Sequence, residues 1–169
     1  MSNRQKWLVV AMMGLVFAES ALQNAARADD SGPIVVIVNV SNPVQNLRTA
    51  DLRKFFLSDR SRWETGKPVA PVIVVAGKPV RTAFLKIVCG MRDVDFRKYF
   101  LQAAFTGKDL SPPTEVSTSN EVKIIVAGSP NAIGFIRALD FHGDGSDGGI
   151  KAVKIDGLLA SDSAYKLRM

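Results

Sequence analysis

From Ile34 to Asn39 the chain is an unbroken run of β-branched residues ending in an amide, Ile-Val-Val-Ile-Val-Asn. Such a run lacks the in-and-out alternation of a half-solvated strand, so it predicts a strand covered on both faces, as in a parallel or mixed α/β sheet. Val40 to Leu47 reads as a loop, with Ser41-Asn42-Pro43 as its turn signal. Thr49 is placed to cap a short helix from Ala50 to Leu57, in which Leu52, Phe55 and Phe56 share one face. Ser58 to Pro68 is polar and punctuated by Gly and Pro around Trp63, and Val69 to Val75 follows as a second buried strand.

Gly77-Lys78-Pro79 breaks that strand and opens a helix from about Val80 to Cys89, with Pro79 near the first helical position, where its missing N–H costs nothing. Gly90 closes the helix. Asp93 to Phe105 repeats the helical period, with Phe96, Tyr99, Phe100 and Ala103 on one face and Thr106-Gly107 as the stop. Ser111-Pro112-Pro113 is a rigid connection. Ser117 or Thr118 caps a helix running to about Ala127, with Glu121 in its first turn, and Gly128 ends it. Ala132 to Ile136 and Ile150 to Ile155 are the last strands. The order β-α-β-α-α-α-β-β implies an α/β fold, a mixed sheet layered by helices.

At 169 residues with 47% hydrophobic and 22% charged, the chain has material for one core. Its N-terminus has the three parts of a secretory signal: Arg4 and Lys6, an apolar run from Trp7 to Ala18, and Ala26-Arg27-Ala28 before Asp29-Asp30. The apolar run is about a dozen residues long, short of the roughly 20 that a spanning helix needs. The expectation is a cleavable signal over 1–28, a single domain over 29–169, a periplasmic or secreted address, and no stable membrane span after cleavage.

The formal charge is +6. Residues 1–28 carry Arg4, Lys6 and Arg27 against Glu19, so the remainder stands at +4. That field favours anionic ligands, but without a Lys/Arg run or an aromatic platform it does not point to nucleic acid. Cys89 is the one cysteine, so no internal disulfide can form. Its neighbours Ile87 and Val88 suggest a buried thiol rather than a nucleophile.

A family resemblance rests on several phrases taken together: Val36-Ile-Val-Asn-Val-Ser-Asn-Pro-Val44, Leu47, Asp51-Leu-Arg-Lys-Phe-Phe-Leu57 and Trp63. Val72-Ile-Val-Val75, Phe84, Phe105-Thr-Gly107, Pro113, Ala132-Ile-Gly-Phe135, Val153-Lys-Ile-Asp-Gly157 and Tyr165-Lys-Leu-Arg168 follow in order. Over residues 34–168 the chain resembles the second lobe of phosphate-type ABC-transporter substrate-binding proteins. The resemblance implies a single lobe of a type II periplasmic-binding-protein fold, with Trp63 packed in the core beneath its loop. A full member has two lobes that close over the anion, and the chain has length for one. Where the family has an Arg followed by a Ser-Gly-Thr loop, this chain reads Val75-Ala-Gly-Lys-Pro-Val-Arg-Thr-Ala-Phe84.

That segment is nonetheless the candidate anion site. Gly77 permits close backbone approach, and a helix start presents free N–H groups and a favourable dipole. Lys78, Arg81 and Thr82 add charge and a hydroxyl at the same end. The competing reading is that Pro79 removes a donor and that the basic side chains point to water. Ser41 and Asn42, and Gly128-Ser-Pro-Asn131, are weaker candidates for the same cleft, because both phrases are also ordinary turns. Asp140 to Gly149 is rich in carboxylates but lacks the spacing of a calcium loop. His142 is the sole His, which argues against a His-rich metal site or a catalytic triad. No nucleophile elbow, zinc-helix or P-loop pattern occurs, and no motif asks for a cofactor.

The leading expectation is therefore an exported, non-catalytic solute-binding protein for phosphate or another small oxyanion. A transporter, a sensor or a second protomer would supply the missing wall. The alternative is a ligand-free interaction module built on one such lobe.

Overall fold

The computed structural model describes residues 31–59, 61–143 and 147–169. The export signal expected over 1–28 lies outside the described residues. The elements fall in one unit, Gly32–Met169. They are β1 (Ile34–Asn39), β2 (Asn46–Leu47), α1 (Thr49–Phe56), β3 (Ala70–Val74), α2 (Pro79–Phe84) continued by a π-helical turn Leu85–Cys89, α3 (Asp93–Phe105) and β4 (Thr114–Val116). After these come α4 (Ser119–Gly128), β5 (Ala132–Arg137), a 3-10 turn Ala138–Asp140, β6 (Ile150–Ala152) and β7 (Lys154–Ile155).

The main sheet has the order β4-β3-β5-β1-β6. β3 runs parallel to both β4 and β5, with Val74 opposite Val116 and Ala70 opposite Ala132. β1 runs antiparallel to β5 and β6, with Val36 opposite Phe135 and Val38 opposite Lys151. The sheet is mixed, as the continuous apolar runs imply, and every residue of β1 is buried. Helices cover both faces. Gly134 and Phe135 point to opposite sides of β5. A Cβ on Gly134 would lie 2.5 Å from Val122 Cγ1 of α4, so α4 packs on that side at a distance only glycine permits. On the other side Phe135 stacks on Phe84 of α2 at 3.7 Å between ring centroids, and Phe56 of α1 meets Phe84 edge-on at 4.7 Å. Trp63 is buried against Phe55 at 4.9 Å, and its indole N–H donates to Asn131 O, so it is a core residue.

Three details depart from the sequence pattern. β2 falls in a stretch that reads as loop, and β4 in one to which the pattern assigns no element. They are two and three residues long and exist because β7 and β3 offer them ladder partners. The run Ile150 to Ile155 is split at Val153, whose N–H goes to Val36 O before Lys154 N–H turns to Gln45 O. Thr49 is the first residue of α1 rather than its cap. Its N–H and hydroxyl both donate to the Asp156 carboxylate, at 3.1 and 2.7 Å, so an acid from the far end of the chain serves the helix start. In α4 the cap is Thr118, whose hydroxyl accepts the Glu121 N–H while Glu121 reaches back to the Ser117 N–H, a reciprocal capping box one residue wider than usual. The C-terminal residues close the domain: Tyr165 donates its hydroxyl to Ile34 O, and Ile34 N–H donates to Leu167 O.

Candidate functional site

The segment Val75 to Thr82 leaves the sheet where β3 and β4 both end, and Val75 N–H still reaches Val116 O at 2.8 Å. Gly77 then turns with φ +86°, a conformation that disfavours other residues, although a Cβ there would meet only open space. The glycine thus serves the turn rather than a packed approach. Lys78 is exposed and occupies the cap position of α2 without a side-chain cap, and Pro79 follows at the first helical position. Among the described residues no acceptor meets the amides of Gly77, Lys78, Val80 and Arg81. These donors and the Lys78 ammonium are what the segment offers a ligand.

Arg81 stands elsewhere than the pattern implied. It is wholly buried. Nε donates to Asp93 Oδ1 at 2.5 Å, and Nη1 donates to Glu115 Oε1 at 2.7 Å and to Val74 O at 2.8 Å. The guanidinium lies 5.7 Å from the Phe96 ring centroid, and Nη2 is buried without a hydrogen-bond partner. One cation therefore joins α2, α3, β3 and β4, and its charge is met by two carboxylates. Thr82 is exposed and its hydroxyl donates to Asp93 Oδ2 at 3.3 Å. An oxyanion approaching Arg81 would face Asp93 and Glu115 at close range, which opposes binding there. Sequence reasoning missed both acids because they lie 12 and 34 residues away.

Ser41 and Asn42 are at the other end of the sheet. β1 is antiparallel to β5, and β5 is parallel to β3, so the end of β1 lies at the same end of the sheet as the beginning of β3, with β5 between them, and away from Gly77. The five residues of β3 separate the two places by about 15 Å. Asn42 is buried. Its Nδ2 donates to Pro130 O at 3.1 Å, and its Oδ1 accepts the Val44 N–H at 3.1 Å in an Asx turn. The Ser41 N–H donates to Asn39 Oδ1, and Asn39 Nδ2 caps the end of α4 through Val126 O and Ala127 O. The two loops 40–44 and 128–131 are thus bonded to each other, and neither lines a cleft with Gly77.

The other candidates have structural partners. Asp147 has a side chain only 4% exposed and accepts from Lys123 Nζ, the His142 N–H and the Gly143 N–H. Burial opposes its ionisation, but these donors outweigh it and hold the carboxyl below the usual range. Asp144, Gly145 and Ser146 of the same stretch lie outside the described residues. No group of three metal-binding side chains occurs among the described residues. Burial pushes the Cys89 thiol up to about 12, against the opposing charge of Arg53, so it is not a thiolate at neutral pH. Among the clefts that the sequence reading did not name, one of about 390 Å³ lies between Ser58, Ser61, Ala70, Asp109, Ser111 and Thr114. Another, of about 400 Å³, is lined by Tyr99, Gln102, Ala103, Thr106, Lys108 and Leu110. No helix among the described residues is long and apolar enough to cross a membrane.

No family model matches the chain, and no curated protein does. Among solved structures the fold is that of proteins described as receptors for phosphate. A protein from Clostridium perfringens, described as a phosphate ABC transporter substrate-binding protein with bound phosphate, aligns with a TM-score of 0.61 and 24% identity over 77% of this chain and 47% of its own. An ABC-type phosphate transport receptor from Vibrio cholerae aligns with a TM-score of 0.61 and 19% identity over 78% of this chain and 49% of its own. A protein of Planctomyces limnophilus, described as a phosphate binding protein, aligns at 0.56 and 20% identity over 74% of this chain and 42% of its own. The chain spans about half the length of the structures it matches. The fold class is therefore a periplasmic-binding-protein-like mixed sheet flanked by helices.

Proposed function

We propose that this chain is an exported, non-catalytic binding protein of the phosphate-receptor type, built on one lobe of that fold. Any small oxyanion it takes sits on the amides of Gly77, Lys78 and Val80 and on the Lys78 ammonium, not on Arg81. The observation that carries this reading is the open row of N–H donors between β3 and α2, on a fold shared with proteins described as phosphate receptors. One lobe covers about half of an anion, whereas tight sites enclose most of their ligand, so a second protomer, a transporter or a sensor supplies the remaining wall. Export follows from the N-terminal pattern, and removal of residues 1–28 leaves Asp29 as the first residue.

A second reading is favoured by one observation. Arg81 is neutralised within the fold by Asp93 and Glu115, as expected of a lobe that has lost its ligand and binds a protein partner instead. Thermal unfolding across phosphate, sulfate, nitrate and chloride separates the two. A ligand at about 100 times its dissociation constant stabilises by roughly 2.7 kcal/mol, several degrees for a domain of this size. A rise selective for phosphate, lost in Lys78→Ala and retained in Ser41→Ala, supports the oxyanion reading. No rise with any anion at millimolar concentration removes it and leaves the interaction module.

A further inference from the structure

α3 is apolar on both sides. Phe96, Phe100 and Ala103 are buried beneath it, yet Val94 is 55% exposed, Leu101 57% and Phe105 83%. At about 100° per residue these last three lie within an arc of roughly 40°, so they form a single stripe along the helix. Arg97 falls about 40° to one side of Leu101 and Lys98 about 60° to the other, and Lys108 follows just beyond the C-terminal turn. None of the three cations forms an ion pair among the described residues. The helix's acids lie off the stripe: Asp93 is held by Arg81, and Asp95, about 120° from Leu101, pairs with Arg92 while its charge also acts on Lys98 at longer range.

We propose that this face lays the protein on an anionic lipid surface, with Val94, Leu101 and Phe105 entering the interface and Arg97, Lys98 and Lys108 meeting lipid phosphates. The charge pattern selects that occupant. Cations on both flanks of a convex stripe, with no carboxylate in the arc, match a plane of uniform negative charge, and long basic side chains reach sideways to headgroups while their stems lie along apolar surface. A second copy is a poor match, because a two-fold pairing along the stripe brings Arg97 and Lys98 toward the same cations of its mate. The helix lies on such a surface and does not cross it. This inference is independent of the oxyanion reading, since none of these residues belongs to the Gly77–Val80 segment.

The test uses the full chain with a Leu101→Cys substitution carrying an environment-sensitive fluorophore. Cys89 is buried and its thiol is pushed up to about 12, so the unsubstituted chain serves as the labelling blank. A probe at Glu64→Cys, in the exposed loop near Trp63, is the positional control. With vesicles of phosphatidylglycerol and phosphatidylcholine in equal parts, the probe at 101 is expected to shift to the blue, while the probe at 64 does not. The shift should vanish with phosphatidylcholine alone, in Phe105→Glu, and at molar salt, where the Debye length falls to about 3 Å. Arg97→Gln and Lys98→Gln should each weaken partitioning about fivefold. Because the probe reports position 101 itself, binding through the apolar run at residues 7–18 does not imitate the result. The proposal is overturned by no shift at 101 on anionic vesicles, by equal shifts at 101 and 64, or by a shift that grows with protein concentration without lipid, which would mean a second copy covers the face.

Discussion

Arg81 illustrates how one side chain can carry two opposite readings. In the sequence it is a cation near a helix start. In the fold it is the buried joint of four elements, bonded to Asp93, Glu115 and Val74 O. Removing one member of a buried ion pair strands the remaining charges, so Arg81→Gln is expected to cost about 3 kcal/mol, read as a lower urea midpoint. If stability were unchanged while phosphate stabilisation disappeared, Arg81 would be a ligand group and its structural role would be wrong. Asp147 makes the comparable prediction for pH. Its carboxyl is held below the ordinary value in the folded state, so its contribution is present above about pH 4, the unfolded value, and is lost as pH falls from there toward the folded one. Asp147→Asn should therefore cost about 1–3 kcal/mol at neutral pH and flatten the acid limb of a stability-against-pH curve.

At the level of elements, what positions the candidate segment is the parallel pairing of β3 with β4 and the close packing of α4 on β5. Gly134 sets that second distance, since an added Cβ meets Val122 Cγ1 at 2.5 Å and Val126 Cγ2 at 3.4 Å. Gly134→Ala is expected to destabilise by about 1–3 kcal/mol through overpacking, seen as a fall in melting temperature. Relief by a second change, Val122→Ala, would identify the contact. An unaltered melting temperature in Gly134→Ala would mean that α4 shifts freely and that its distance from the sheet is not set there. The donors at Gly77–Val80 depend on the same frame, because the turn lies between the Val75 N–H to Val116 O bond and the Arg81 guanidinium, which donates back to Val74 O.

Over the whole molecule, a chain covering about half of each structure it matches still encloses a full core, with Phe56, Phe84 and Phe135 joined across helices and sheet. The C-terminal residues complete it by bonding back to the start of β1 through Tyr165 and Leu167. The export expectation belongs at this scale. Mass spectrometry of protein recovered from its producing cells should give a chain beginning at Asp29. A chain beginning at Met1 would refute cleavage and turn attention to an anchored form.

Local pattern by itself determined much of this protein. The buried strands at 34–39, 70–74 and 132–137, the helices at 49–56, 93–105 and 119–128, and the Gly90 stop were all legible, because periodicity, capping and glycine conformations act over a few residues. So was the strand-to-helix turn at Gly77. Tertiary structure alone decided the rest. β2 and β4 are too short to declare themselves without partners. Asp156 serves α1 from 107 residues away. Ser41 and Asn42 were set at the opposite end of the sheet from Gly77 by the antiparallel direction of β1, and Arg81 was drawn inside by two distant acids. Pairing direction and charge partners are long-range properties, and a one-dimensional pattern does not encode which end of a strand meets which.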